Sequence, residues 1–155
     1  MSDPAQLISA FYEAFSRRDW AAMGACYHPA VHFTDAVFDL HGDQARAMWR
    51  MLCTRGRDLQ VEFSGVSFAG GVGRAHWDAL YTFTATGRKV HNRVDARFAF
   101  QEGLIVRHED SFDFWRWSRQ ALGAPGLLLG WSSFLHNKVR AQAARGLATF
   151  TPDAA

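Results

Sequence analysis

The sequence predicts an α+β fold, with short helices first and a long, strongly curved, mostly antiparallel sheet afterwards. Three observations carry that prediction. Apolar residues recur at helical spacing up to about residue 52. From residue 59 onward the period changes to two. The later segments are joined by short glycine-bearing turns, Gly70-Gly71-Val72-Gly73, Thr86-Gly87-Arg88 and Gln101-Glu102-Gly103. Connections this short demand antiparallel neighbours, hence a meander and not a set of βαβ units.

Taken in order, Leu7, Ile8, Phe11, Tyr12 and Phe15 fall on one helical face behind Asp3-Pro4, an N-cap followed by proline at the first helical position. A second helix is expected over Trp20 to Tyr27 after Asp19, stopped by Pro29. Val31 to Phe38 reads as a short strand ending near Asp35. Gly42-Asp43 introduces a third helix in which Ala45, Met48, Trp49 and Leu52 share a face. Strands are expected at about 59 to 68, 74 to 85, 90 to 101 and 104 to 114. The tail reads as a loop around Gly123 to Gly130 and then an amphipathic helix carrying Phe134, Val139, Ala143 and Leu147.

The 155 residues suit one domain, which buries roughly 70% of its unfolded surface. We read 1–155 as a single domain, with a core of about 4–117 and a C-terminal helical extension of about 118–150. A composition 48% hydrophobic, with 13 Phe and 6 Trp, is that of a globular chain. Net charge is only +2, and the basic residues are spread along the chain, so nucleic acid is not an expected partner. Cys26 and Cys53 read as small buried thiols. No stretch approaches the ~20 apolar residues of a spanning helix, and the N-terminus has no basic region followed by an apolar run, which predicts a cytoplasmic protein. The short apolar run Gly126 to Trp131 suits a pocket mouth, a partner or a lipid surface.

Strand parity then nominates side chains for a pocket. His76, Asp78 and Leu80 share one face, and Ala75, Trp77, Ala79, Tyr81 and Phe83 the other, which is the more apolar face and could equally pack on a second subunit. Val106, His108, Asp110, Phe112 and Phe114 share a face, which sets an imidazole and a carboxylate in an aromatic stripe. Of the next strand, Asn92, Val94, Ala96, Phe98 and Phe100 are expected inside, with Arg93, Asp95 and Arg97 outside in ion pairs across a homodimer interface. Burial raises a carboxyl pKa and a second carboxylate separates the two titrations, so converging acids supply one acid and one base. We therefore expect catalytic roles for Asp110, Asp78, Asp35 and His76. The expected substrate-binding lining is Tyr12, Phe15, Phe33, Met48, Trp49, Asn92, Val94, Phe98, His108 and Phe112, with Asn92 as a hydrogen-bonding group. No metal or cofactor is expected: His28 and His32 straddle Pro29, and no cysteine ligand set completes a site.

The strand ending Phe33-Thr34-Asp35, the loop into His41-Gly42-Asp43 and the closing run Gly103 to Asp113, in this order behind the helices, resemble the nuclear transport factor 2-like superfamily. The likeness is to its SnoaL-like and ketosteroid isomerase-like branch, over about residues 4 to 117. That resemblance implies a cone-shaped half-barrel, commonly dimeric through its outer sheet face, with a pocket between sheet and helices. It also implies positions. The isomerase base falls on Asp35, its oxyanion tyrosine on Phe11 beside Tyr12, and its partner acid near Ala96. The epoxide-hydrolase acids fall on Asp78 and Asp110, its arginine on His76, and its water-positioning pair on Phe33 and Asp35. The polyketide-cyclase acid falls on Asp110. The implied function is cofactor-independent acid/base chemistry on a small apolar molecule, by isomerisation, cyclisation or water addition. The alternative is a non-catalytic dimeric ligand-binding domain.

Overall fold

The computed structural model describes residues 3–150. Helices α1 (Pro4–Ser16) and α2 (Trp20–Ala25) lead into strand β1 (Tyr27–Thr34) and the short β2 (Asp39–His41). Helix α3 (Asp43–Arg55) then gives way to β3 (Gln60–Ala69), β4 (Val72–Phe83), β5 (Arg88–Gln101) and β6 (Leu104–Ser111). Three helices follow among the described residues: α4 (Phe114–Leu122), α5 (Ala124–Leu129) and α6 (Ser133–Thr149). The strands form one curved, unclosed mixed sheet in the order β2-β1-β6-β5-β4-β3, antiparallel except where β1 lies parallel to β6.

The local chemistry behind these elements is direct. The Asp3 side chain caps α1 at Ala5 N, Pro4 opens the helix, and Ile8, Phe11, Tyr12, Ala14 and Phe15 turn inward. The β5–β6 hairpin turns on Glu102 and Gly103, both at positive φ (55° and 77°), the pattern of a two-residue turn whose twist matches the strands it joins. The core lies between the inner face of the sheet and α1 and α3. A second apolar cluster, Val90, Trp117 and Ala121, seats α4 against β5. Cys26 and Cys53 are both buried and unpaired.

Several boundaries differ from the sequence expectation. Helix α2 stops at Ala25, and Tyr27 opens β1; Pro29, which lacks a ladder N–H, lies where the β1–β6 register shifts between Tyr27 and His32. Strand β6 ends at Ser111 and not near 114, because the Asp113 carboxylate accepts from Arg116 N (3.0 Å) and starts a helix. The expected loop at 123–130 is largely helix α5. Its Pro125 is at home in a first helical turn, and Gly126 and Gly130, which read as breakers, are close-packing positions against Ser118.

Candidate functional site

Alternation along β6 turns His108 and Asp110 to the inner face, opposite Phe98 and Ala96 of β5. Both are buried. His108 Nε2 lies 2.8 Å from Asp110 Oδ1, and His108 Nδ1 lies 2.8 Å from the Tyr27 hydroxyl. The Tyr27 oxygen in turn accepts from Trp49 Nε1 at 2.8 Å. Because an indole only donates, one arrangement satisfies every group: Trp49 N–H donates to Tyr27, Tyr27 O–H donates to His108 Nδ1, and His108 Nε2–H donates to Asp110. A longer contact from Trp77 Nε1 (3.5 Å) reaches the same carboxylate oxygen. Burial pushes the Tyr27 phenol well above its ordinary pKa, keeping it a neutral donor.

The second carboxyl follows β1. Asp35 Oδ1 accepts from the backbone N–H groups of Val37 (2.7 Å) and Phe38 (2.6 Å), a local turn that aspartate forms readily. Burial outweighs those bonds and raises its pKa to about 6, with the Asp110 charge adding to the rise. At both acids the hydrogen bonds fall on Oδ1, and Oδ2 takes none from another described residue. Tyr81, whose oxygen accepts from Trp117 Nε1 (2.8 Å), stands in the field of Asp35, and its pKa is raised, chiefly by burial. Tyr12 contributes a buried hydroxyl with no hydrogen-bond partner among the described residues; burial, followed by the Asp110 charge, pushes its pKa well up. A neutral donor and two carboxyls that feel each other's charge can bind a polar oxygen and move a proton beside it.

Asp78 and His76 are not with them. In β4 the inward set is Ala75, Trp77 and Ala79, so the alternate residues face outward, and the expectation that Asp78 shares a pocket with Asp110 is corrected. The reason is size: Trp77 fills the interior under α1 and α3, ringed by Tyr12, Phe15 and Trp49. Outside, Asp78 meets His91 Nε2 (3.1 Å) and His76 Nε2 (3.3 Å), and His76 Nδ1 meets Asp95 (2.9 Å). Those partners raise the His76 pKa, the Asp95 bond most. Burial works against the Asp78 charge, yet its histidines pull the carboxyl below its usual value.

Of the expected lining, Tyr12, Phe15, Phe33, Met48, Trp49, Val94, Phe98 and His108 are all buried, and their rings pack on one another. Asn92 and Phe112 are half-buried. Two clefts, of about 370 and 290 Å³, open elsewhere, one along Ala5, Ser9 and Val66, the other along Asp58, Leu80 and Lys89. Sequence reasoning missed Tyr27, Trp77 and Tyr81 as site residues. Tyr27 falls at the end of the expected second helix, and the other two lie on the β4 face that suits a second subunit as well as the interior; an aromatic-rich parity set is the available signal.

Among the described residues, one group of side chains has the donors to hold a metal ion. His32 and His41 are paired across β1 and β2 with stacked rings (4.1 Å), and Asp39 lies 2.6 Å from His32. The Asp39 carboxyl is held below its usual range, chiefly by the His32 bond. Neither histidine's pairing was visible without β2.

Residues 8–108 match the family described as SnoaL-like domain. No match is found among curated proteins. Among solved structures, the chain resembles an NTF2-like protein of unknown function from Burkholderia pseudomallei, at 25% identity and TM-score 0.63, covering 73% of this chain and 92% of that one. It also resembles a protein of ketosteroid isomerase-like fold from Catenulispora acidiphila in complex with trimethylamine, at 12% identity and TM-score 0.68, covering 81% and 97%. A third likeness is to an LEH-like epoxide hydrolase of M. tuberculosis, at 18% identity and TM-score 0.61, covering 80% and 91%.

Proposed function

We propose, because the chain belongs to the SnoaL-like domain family, that it is a cofactor-independent acid/base enzyme acting on a small apolar molecule. The observation that carries this reading is the pair Asp35 and Asp110. Among the described residues each is anchored through Oδ1 alone, and the Asp110 charge helps hold Asp35 at about 6, where a carboxyl exchanges protons readily near neutral pH. Asp35 takes the proton from carbon or from an attacking water. Tyr12 donates to the oxygen that gains charge. Asp35 then returns that proton to the product, while the charge on Asp110, oriented by His108 and Tyr27, helps Asp35 hold it in between. This sequence of roles serves isomerisation, cyclisation and water addition alike, and the family likeness leaves the choice to the substrate.

A carbon-detected NMR titration of the side-chain carboxyls tests the reading. Asp35 is expected to titrate near 6 and to move down when Asp110→Asn removes the neighbouring charge. An Asp35 value near that of a free aspartate sinks it.

The dense packing of Phe15, Phe33, Trp49 and Phe98 favours a second reading, a non-catalytic ligand-binding domain of the same fold. In either case we place a homodimer interface on the outer sheet face. Supporting it are the exposed Arg93, Asp95 and Arg97, and Leu80 beside the His76–Asp78–His91 cluster.

A further inference from the structure

We propose that the corner formed by α5 and the start of α6 docks on an anionic lipid surface. Leu127, Leu128, Trp131 and Phe134 follow at i, i+1, i+4 and i+7. They are 52%, 66%, 76% and 72% exposed, far beyond the scattered apolar exposure of an ordinary surface. Trp115 widens the patch, its Nε1 donating to Leu127 O at 3.2 Å. The exposure is built in. Gly126 and Gly130 are buried so closely on α4 that a Cβ at either would lie about 2 Å from Ser118 atoms (1.9 Å to its carbonyl oxygen, 2.1 Å to its Oγ). With the glycine edge of α5 turned onto Ser118, its leucines face out. Trp131 Nε1 donates to Leu128 O (2.8 Å), which fixes the indole over the same edge.

Charge selects the occupant. From residue 114 to 150 the chain carries Arg116, Arg119, Lys138, Arg140 and Arg145 and no Asp or Glu, although its overall net charge is only +2. Lys138, Arg140 and Arg145 are exposed on α6, with Arg140 also in the field of Asp39. An apolar wedge with a tryptophan, on a segment that carries basic residues and no acid, is the chemistry that inserts between headgroups and holds anionic phospholipid. No helix among the described residues is long and apolar enough to cross a membrane, so the association is peripheral.

Flotation of the full chain with vesicles tests this, using phosphatidylglycerol mixed into phosphatidylcholine against phosphatidylcholine alone. The chain is expected to float with the anionic vesicles and to be released by salt. The variant Leu128→Ser/Trp131→Ser, changed only at exposed positions and checked for a native circular-dichroism spectrum, is expected to lose binding by about tenfold or more. Lys138→Gln and Arg145→Gln are each expected to lose about fivefold. The proposal is overturned if the folded chain floats with neither vesicle, or if Leu128→Ser/Trp131→Ser floats as well as the parent. It is also overturned if the parent is an oligomer that this double variant turns into a monomer while neither binds vesicles, since the patch then covers a second copy.

Discussion

Asp110 Oδ1 lies 2.8 Å from His108 Nε2, two residues earlier on the same face of β6. Both are buried, and the other imidazole nitrogen is taken by the Tyr27 hydroxyl at 2.8 Å. A strand places i and i+2 side by side, so β6 alone aligns the carboxylate and imidazole. The rest of the chain of bonds needs β1 and α3. The network therefore ties the parallel β1–β6 seam to the helix that covers it, and its bonds serve the fold as well as the carboxylate they orient.

Cutting that network should cost stability in proportion to the groups left unpaired. His108→Phe keeps a ring among Phe11, Phe33 and Phe98 but takes the acceptor from the Tyr27 O–H and leaves Asp110 the longer Trp77 contact. We expect it to lose about 2–4 kcal/mol, and Tyr27→Phe about 1–3 kcal/mol. The two should be non-additive by at least about 0.5 kcal/mol in a double-mutant cycle measured by urea unfolding. Full additivity would mean that the shared bond carries little energy.

Asp35 gives stability a pH dependence of definite sign. Its folded pKa of about 6 exceeds the ordinary aspartate value of 3.8, so the native chain holds this proton more tightly than the unfolded one. Its contribution is thus lost as pH rises from about 4 to about 6, by at most about 3 kcal/mol. Asp35→Asn keeps an oxygen for Val37 N and Phe38 N and removes the titration. In urea unfolding it should be more stable than the parent at pH near 7 and nearly level with it below about pH 4. A variant less stable than the parent at neutral pH would contradict this.

What the sequence disclosed, and what it withheld, follows from the range of the interactions. The helical stripe from Leu7 to Phe15 and the alternation along β6 are local, and they placed Tyr12, His108 and Asp110 inside. The turn chemistry at Gly70-Gly71 and Glu102-Gly103 set the meander in the same way. Parity alone left β4 ambiguous, because either face could be inner. Only the volume of Trp77 under α1 and α3 decides it, and that is a contact between distant segments. Helices α4 and α5 were hidden for another reason. Phe112 and Phe114 prolong a strand pattern that the Asp113 cap interrupts, and two glycines resemble breakers until Ser118 is seen against them.

The corrected parity makes Asp78 and Asp110 separable. Asp110→Asn should lower the pKa of Asp35, whereas Asp78→Asn, on the opposite sheet face, should leave it unmoved. On its own face Asp78→Asn should weaken the hold on the His76 proton, which the Asp95 bond chiefly maintains. The stabilisation from His76 is fully present below about 6.5 and disappears as pH rises through its elevated folded value, and at so open a site it is within about 0.5 kcal/mol. Histidine-resolved and carboxyl-resolved NMR titrations of the two variants read both effects. A shift of Asp35 in Asp78→Asn would put the two acids back in one site.

Gly126→Ala distinguishes a packing glycine from an ordinary helical one by the sign of its effect. In an unobstructed helix the substitution stabilises by about 1 kcal/mol, because alanine is the better helix former. Here the new Cβ would sit 1.9 Å from the Ser118 carbonyl oxygen and 2.2 Å from its carbon, both main-chain atoms that cannot swing aside. Helix α5 must lift off α4, so destabilisation of about 1–3 kcal/mol is expected in thermal or urea unfolding, with faster amide exchange across 124–131. Gly65→Ala is the control: nothing lies within 4 Å of its Cβ, and its φ of +63° limits the cost to about 1 kcal/mol, confined to β3. A stabilised Gly126→Ala would mean that α5 is not seated on Ser118 and that the outward set of its leucines has another cause.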